Sequence, residues 1–208
     1  MTSSKARGGV WAQFFVAEPG LPVEVPAGGR VDRYRVDAVE PRRGPPIAGV
    51  EPGATIIRVE APGPRPPMGR GFQAVGVVQH VLYTDADRRK ELAAISAGER
   101  GPRAVLIPIA KSDAWWALAQ DERDRFFRHT PERPGHVEIG AHYARSIFRR
   151  LYQARYQPGS EWDFLTYFEL ANEDAGTFRE LLAALRDPAR NPEWGFVERE
   201  TEIWMTKV

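Results

Sequence analysis

Two side chains thirteen positions apart carry the chemistry for which this sequence can be read, His136 and Arg149. An imidazole can ligate a metal or move a proton, and a guanidinium is a permanent cation with a planar fork of donors. Between them the sequence pattern changes period. From His136 to about Ser146, the apolar residues Val137, Ile139, Tyr143 and Ile147 recur near helical spacing, with Gly140 as a local weakness of about 1 kcal/mol against alanine. From Ile147 the period becomes two. Ile147, Arg149 and Leu151 share one strand face, and Phe148, Arg150 and Tyr152 share the other. A helix running into a strand can present an imidazole and a guanidinium to opposite sides of a flat ligand. Arg149 sits among apolar neighbours, so it needs an anionic partner, whereas Arg150 reads as solvent-exposed. His142 lies about 240° around the helix from His136 and faces away. His80 falls in a strand and reads as a satisfied core group. No histidine–carboxylate cluster has the spacing of a zinc site.

Composition narrows the classes. The 208 residues suffice for one sizeable domain or two small, closely packed halves. The 29 basic and 28 acidic side chains nearly cancel, which gives no electrostatic case for a nucleic-acid partner. With no cysteine, disulfides, iron–sulfur clusters and thiolate-held cofactors are excluded. No apolar run approaches the roughly 20 residues of a membrane helix, and MTSSKARGGV lacks the apolar stretch of a signal peptide. The expectation is a soluble, cytoplasmic protein with no membrane partner.

The elements that must position the two residues follow from pattern and punctuation. Residues Met1–Gly9 read as a disordered tail and Val10–Ala17 as a strand. Glu18–Gly53 is dense in proline and glycine, interrupted by a short strand at Val31–Val36. Ala54–Ala61 and Phe72–Tyr83 read as strands around a proline-rich loop, and Asp85–Ala97 as a helix capped by Thr84 or Asp85. After a linker near Gly101, Ala104–Lys111 is a strand, in which Pro108 implies an edge or a bulge. Ser112 then caps one helical stretch, Asp113–His129. The helix and strand of the preceding reading follow. Next come the turn Gln157-Pro158-Gly159-Ser160, the strand Trp162–Leu170, and the amphipathic helix Gly176–Arg186. An irregular connection, Asp187–Trp194, leads to the strand Phe196–Val208. From Ala104 the order is strand, helices, strand, strand, helix, strand, which is the ferredoxin-like pattern. The first half looks like a decayed copy. The expected fold is α+β: two ferredoxin-like halves, residues 1–100 and 101–208, forming a β-barrel-like core with helices outside.

Five blocks in order carry a family likeness: IPIAKSDAWWALAQDERDRFF, HVEIGAHYARSIFRRLYQAR, EWDFLTYFEL, GTFRELLAALR and PEWGFVERE. They resemble the chlorite dismutases, most nearly the shorter, dimeric branch, over about Phe72–Val208. The resemblance implies a haem b oxidoreductase that converts chlorite to chloride and dioxygen, acts on a small anionic oxidant, and assembles as a homodimer. It implies that His136 ligates the iron, that Glu193, just before Trp194, orients the histidine, and that Arg149 is the distal arginine. Lys111 falls in the family's lysine position and is expected to meet a haem propionate. Trp115 and Trp116 correspond to the paired tryptophans beside the haem. Judged alone, Glu193 would be a loop glutamate, Lys111 a solvated strand-end lysine, and one of the two tryptophans plain core. A glutamine that holds the distal arginine in the short branch is replaced here by Ser96. Two other readings share the fold. A coproheme decarboxylase typically has Trp-Tyr where this chain has Trp115-Trp116, and glutamine where it has Arg149, so both positions count against it. A non-enzymatic haem-binding or stress protein would release no dioxygen from chlorite.

Overall fold

In the computed structural model of the chain, the described residues are 9–18, 20, 22–63, 72–78, 101–144 and 146–208. Eight strands run through them: β1 (Val10–Val16), β2 (Arg30–Arg43), β3 (Thr55–Pro62), β4 (Gln73–Val78), β5 (Arg103–Lys111), β6 (Ile147–Gln153), β7 (Phe164–Leu170) and β8 (Val197–Lys207). They close into an antiparallel barrel in the order β1-β3-β2-β8-β5-β7-β6-β4. Taken by halves, the orders are β4-β1-β3-β2 and β8-β5-β7-β6, the same fourth-first-third-second arrangement twice. The halves meet along β2–β8 and β4–β6. The expected pair of ferredoxin-like sheets around a barrel core is therefore what the chain forms. Among the described residues there are four α-helices: α1 (Asp113–Ala117), α2 (Gln120–Phe127), α3 (Gly135–Tyr143) and α4 (Ala175–Leu185). A short 3-10 helix, Pro192–Phe196, precedes β8.

β5 and β7 are buried on both faces along most of their length, which is why their sequences run largely apolar. On β5, Ala104 and Leu106 enter the barrel interior beside Tyr34, Tyr167 and Ile203. Val105 and Ile107 point the other way, into a layer with Phe168, Trp204 and the α4 residues Phe178, Leu181 and Leu182. That outer layer is the floor on which α3 and α4 lie.

Part of the barrel interior is polar. Arg58 has no solvent exposure. Its Nη1 donates to Asp32 at 2.9 Å, and its Nη2 to Glu60 at 2.6 Å and to the Tyr152 hydroxyl at 2.9 Å. Its guanidinium also lies 4.5 Å from the centroid of the Tyr167 ring. Arg150, read as exposed, instead faces this cluster and donates to Glu60 at 2.5 Å. Local alternation separates it correctly from Arg149, but the carboxylate that draws it inward comes from a strand ninety residues earlier in the chain.

Other boundaries differ from expectation for identifiable reasons. Strand β2 is fourteen residues long and runs through Pro41. Its pairing with β3 ends at Arg35, and beyond that it pairs with β8 across register shifts, so the missing proline N–H breaks no ladder to β3. Pro108 lies in an interior strand. The ladder to β7 continues past it, while the ladder to β8 lapses between Leu106 and Ile109. The single helix expected at Asp113–His129 is two helices. Leu118 and Ala119 are extended, and Glu122 reaches back to accept the Ala119 N–H at 2.7 Å, restarting the helix. The Asp187–Trp194 connection ends in the 3-10 helix rather than in irregular chain. The tail Met1–Gly8, the end of the Phe72–Tyr83 strand, His80, the Asp85–Ala97 helix and Ser96 lie outside the described residues.

Removing one partner from a buried ion pair typically costs about 3–5 kcal/mol, because the other charge is left uncompensated. Arg58→Ala is expected to lower unfolding stability by about that amount in urea, through Asp32 and Glu60. A loss below about 1 kcal/mol would mean that the cluster is not needed to hold the barrel.

Candidate active site

The residues singled out in the second half converge from four elements. Lys111 ends β5, His136 opens α3, Arg149 lies on β6, and Glu193 sits on the 3-10 helix. Gly135 sets the entry of α3. Its φ is +70°, and a Cβ there would stand 2.3 Å from the Arg128 carbonyl oxygen, so only glycine brings His136 in at this angle.

Glu193 joins the other two on its side. Its carboxylate is buried and accepts from Lys111 Nζ at 2.5 Å through Oε1, and from His136 Nδ1 at 2.7 Å through Oε2. Burial alone would push the Glu193 carboxyl up. The charges of Lys111 and His136, with their hydrogen bonds, outweigh it and hold the group well below the usual carboxylate range. With Nδ1 donating to Glu193, Nε2 of His136 has no hydrogen-bond partner among the described residues.

These groups line a cleft of about 500 Å³, counting the solvent at its mouth. Its walls include Ile107, Ile109 and Phe168 from the sheet, and Leu182 and Leu185 from α4. Arg149 lines the same cleft. Register places it opposite Phe168 on β7, while Ile109 of β5 faces Glu200 on β8. Measured across the strands, the sheet wall spans three strand spacings, about 14 Å, from β6 to β8. Arg149 is exposed to the cleft and makes no hydrogen bond or ion pair with any described residue. The surrounding protein pushes its guanidinium pKa down, partly offset by the charge of Glu193.

The tryptophans stand behind Lys111 rather than on the cleft wall. Trp115 is buried among Phe126, Phe127 and Phe196, with Lys111 Nζ 4.9 Å from the centroid of its ring. Trp116 stacks on Phe164, carries the Arg155 guanidinium 3.8 Å from its centroid, and donates to Asp163 at 3.3 Å. Asp163 in turn accepts the Lys111 backbone N–H at 2.6 Å. His142 is exposed and packs on Tyr143.

Further cleft residues went unmarked in the sequence, among them Arg186, Asn191, Trp194 and Glu200. Arg186 donates through Nε to Glu200 at 2.8 Å and pairs through Nη1 with Glu202 at 2.6 Å. Burial raises the Glu200 carboxyl pKa, only partly countered by Arg186. The strand period in ERETEIW puts Glu200, Glu202 and Trp204 on one face, and that was the available signal. Among the described residues, no group of three or more His, Cys, Asp or Glu side chains is arranged to hold a bare metal ion. No helix among them is long and apolar enough to cross a membrane.

Fold and site together define a class: an α+β barrel of two ferredoxin-like halves, with an ammonium–carboxylate–imidazole chain beside a cleft in the second half. Comparison with known proteins adds a family likeness. No family model matches the chain. Over 129 residues, 58% of its length, the chain is 27% identical to a chlorite dismutase of Ideonella dechloratans, and the match spans 42% of that relative. The crystal structure of dimeric chlorite dismutase from Nitrobacter winogradskyi is 29% identical, with a TM-score of 0.71, covering 94% of this chain and 99% of that one. Chlorite dismutase from Candidatus Nitrospira defluvii in complex with imidazole is 22% identical, with a TM-score of 0.67 and coverage of 97% and 92%, a likeness of fold. The chain resembles the chlorite dismutases, and its likeness to the dimeric Nitrobacter winogradskyi structure fits the short branch of that family.

The depressed Glu193 pKa predicts a pH dependence. An unfolded glutamate titrates near about 4.3, so between that pH and the lower folded value the unfolded chain binds the extra proton. The contribution of Glu193 to stability is complete above about pH 4.3 and is lost as pH falls below it. Other paired carboxylates keep some acid sensitivity, but Glu193→Gln is expected to show a shallower loss of stability between about pH 4 and 2 than the parent chain. Equal slopes in denaturant melts across that range would contradict the assignment.

Proposed function

We propose that this chain binds one haem b in the cleft and uses it to convert chlorite to chloride and dioxygen. One observation carries the reading. A single cleft holds an imidazole whose Nδ1 is committed to a carboxylate and a guanidinium that has no partner among the described residues. The first leaves Nε2 free to ligate a metal, and the second supplies a fixed positive charge for an anion. The residues fit haem: one neutral nitrogen ligand, apolar walls on sheet and helix, and no thiolate to compete. When bound, haem supplies the redox-active iron, and the oxidation chemistry is the cofactor's own.

The chain's part is positioning and electronics. His136 would ligate iron through Nε2 while Nδ1–H donates to Glu193, which fixes the tautomer and makes the ring a stronger donor. Lys111 keeps Glu193 ionised, so the imidazole faces a full negative charge. Trp115 backs the Lys111 ammonium, and Trp116 braces Asp163, which holds the Lys111 backbone; this is the support that the tryptophan pair would give the haem pocket. Arg149 would draw chlorite into the cleft and hold it through charge-assisted hydrogen bonds, remaining protonated at any working pH. Ile107, Ile109 and Phe168 exclude water around it. In this reading residues 101–208 form the haem-binding half and residues 1–100 its degenerate partner. The likeness to a dimeric chlorite dismutase supports a homodimer.

Dioxygen evolution from chlorite by the haem-loaded protein is the deciding measurement. Hydrogen bonds to charged groups contribute about 1.5–3 kcal/mol, so Arg149→Ala is expected to slow turnover about 10- to 100-fold with haem still bound. Arg149→Lys is expected to fall between, keeping charge without the planar fork. Parent-like rate and dioxygen yield per haem in Arg149→Ala would remove the distal role. His136→Ala is expected to lose tight haem binding, and an unchanged Soret band and stoichiometry would overturn the ligand assignment.

A further inference from the structure

Lys111 and His136 grip the Glu193 carboxylate, but the backbone beneath it is fixed by a residue two places earlier. Asn191 is 3% exposed and lies between the end of α4 and the start of the 3-10 helix. Its Nδ2 donates to the Leu185 carbonyl at 2.7 Å. That carbonyl is one of those a helix end leaves without an intrahelical partner. The Asn191 backbone N–H donates to the Asp187 carbonyl at 2.7 Å, and its own carbonyl accepts the Trp194 N–H at 3.1 Å. The second of these bonds opens the turn that carries Glu193. At φ −136° and ψ 81°, the Asn191 backbone belongs to neither helix nor strand, so these three bonds set the direction in which the chain leaves α4.

The side chain has one free group. Because Nδ2 is committed to Leu185, the amide cannot turn over, and Oδ1 is left buried with no hydrogen-bond partner in a residue that lines the cleft. A buried acceptor in that state is destabilising. Leucine has nearly the same shape and would carry no such cost. What leucine cannot do is tie the last turn of α4 to the chain before Glu193. Leu182 and Leu185 of the same helix form the apolar wall of the cleft, so this bond also sets the spacing between that wall and the carboxylate.

We propose that Asn191 is a positioning residue for the imidazole: it joins α4 to the 3-10 helix so that Glu193 meets His136 Nδ1. The inference extends the haem reading and depends on it for only one of two readouts. Asn191→Leu keeps the branched outline of four heavy atoms and removes both Nδ2 and Oδ1. The first readout is ¹⁵N NMR of His136 in the full-length protein without added haem. The parent is expected to show a single, exchange-protected Nδ1–H, and the variant a mixture of tautomers without that protection. The second readout is the Fe(III)/Fe(II) midpoint potential of the haem-loaded protein. Asn191→Leu is expected to raise it in the same direction as Glu193→Gln, and the double variant to show no rise beyond Glu193→Gln alone.

A merely structural asparagine would lower the melting temperature and leave both signals in place. A parent-like His136 signal and potential in Asn191→Leu would therefore overturn the proposal, as would additive potentials in the double variant. Asn191→Ala, which loses the same donor without adding apolar bulk, serves if the leucine variant does not fold. Should no variant or parent take up haem while the His136 signal still changes as stated, the haem reading falls and the positioning role stands.

Discussion

A carboxylate kept ionised in a dry site is the constraint on which the second half of this barrel depends. Glu193 is buried, and burial alone would push its carboxyl pKa up. It stays charged because an ammonium and an imidazole approach its two oxygens from different elements. Each approach has its own requirement. Lys111 must stand at the end of β5, where Asp163 accepts its backbone N–H and Trp115 backs its side chain. His136 must enter on the first turn of α3, which needs the positive φ of Gly135. Glu193 itself must be turned toward both by a 3-10 helix of five residues. The two helices and the strand end are arranged around one negative charge.

Two of the charge systems among the described residues share strand β6 and do opposite things. Inside the barrel, Arg58 is surrounded by Asp32, Glu60 and two tyrosines. Every charge in that cluster has a counterpart, so it holds strands together and presents nothing to a ligand. On the outer face, Arg149 has no counterpart among the described residues. Two adjacent residues of β6, Arg149 and Arg150, divide between these systems by strand alternation alone. Saturated charge on one side of the sheet and unsaturated charge on the other is the difference between scaffold and site.

The faces of His136 and Arg149 were legible because the period changes between them, from 3.6 to 2, while the ligand role of His136 rested on the family likeness. Glu193 could not, since nothing local distinguishes a loop glutamate from one turned toward a histidine fifty-seven residues away, and only the family likeness marked it. The second half was legible because each element is bounded by its own turn or cap. The first half was less so. Pro41 lies within β2, and the stretch read as proline-rich coil turned out to be ladder, because β8 supplies a partner where β3 has ended. The break at Leu118–Ala119 was hidden because its cap is a backbone N–H met by Glu122, with no serine, threonine or aspartate to announce it. Arg150 was placed on the right face but in the wrong medium, since the barrel interior is made by strands that no local pattern connects.

The long β2–β8 ladder has a kinetic corollary. Tyr34 pairs with Lys207, so the strand that closes one seam of the barrel leaves the ribosome long after its partner. At roughly 5–20 residues per second, that delay is on the order of ten to thirty seconds. Throughout it, one edge of β2 has no native neighbour, and an unpaired edge is a template for association with other chains. Its exposed residues are the charged Arg33, Arg35, Asp37, Arg42 and Arg43 and the proline Pro41, and charge and proline are how soluble sheets discourage such pairing. Pairings so distant in sequence also make a slow-folding topology. The same ladder that brings β8 and its carboxylates to the cleft thus leaves the nascent chain waiting, and its outward charges guard it while it waits.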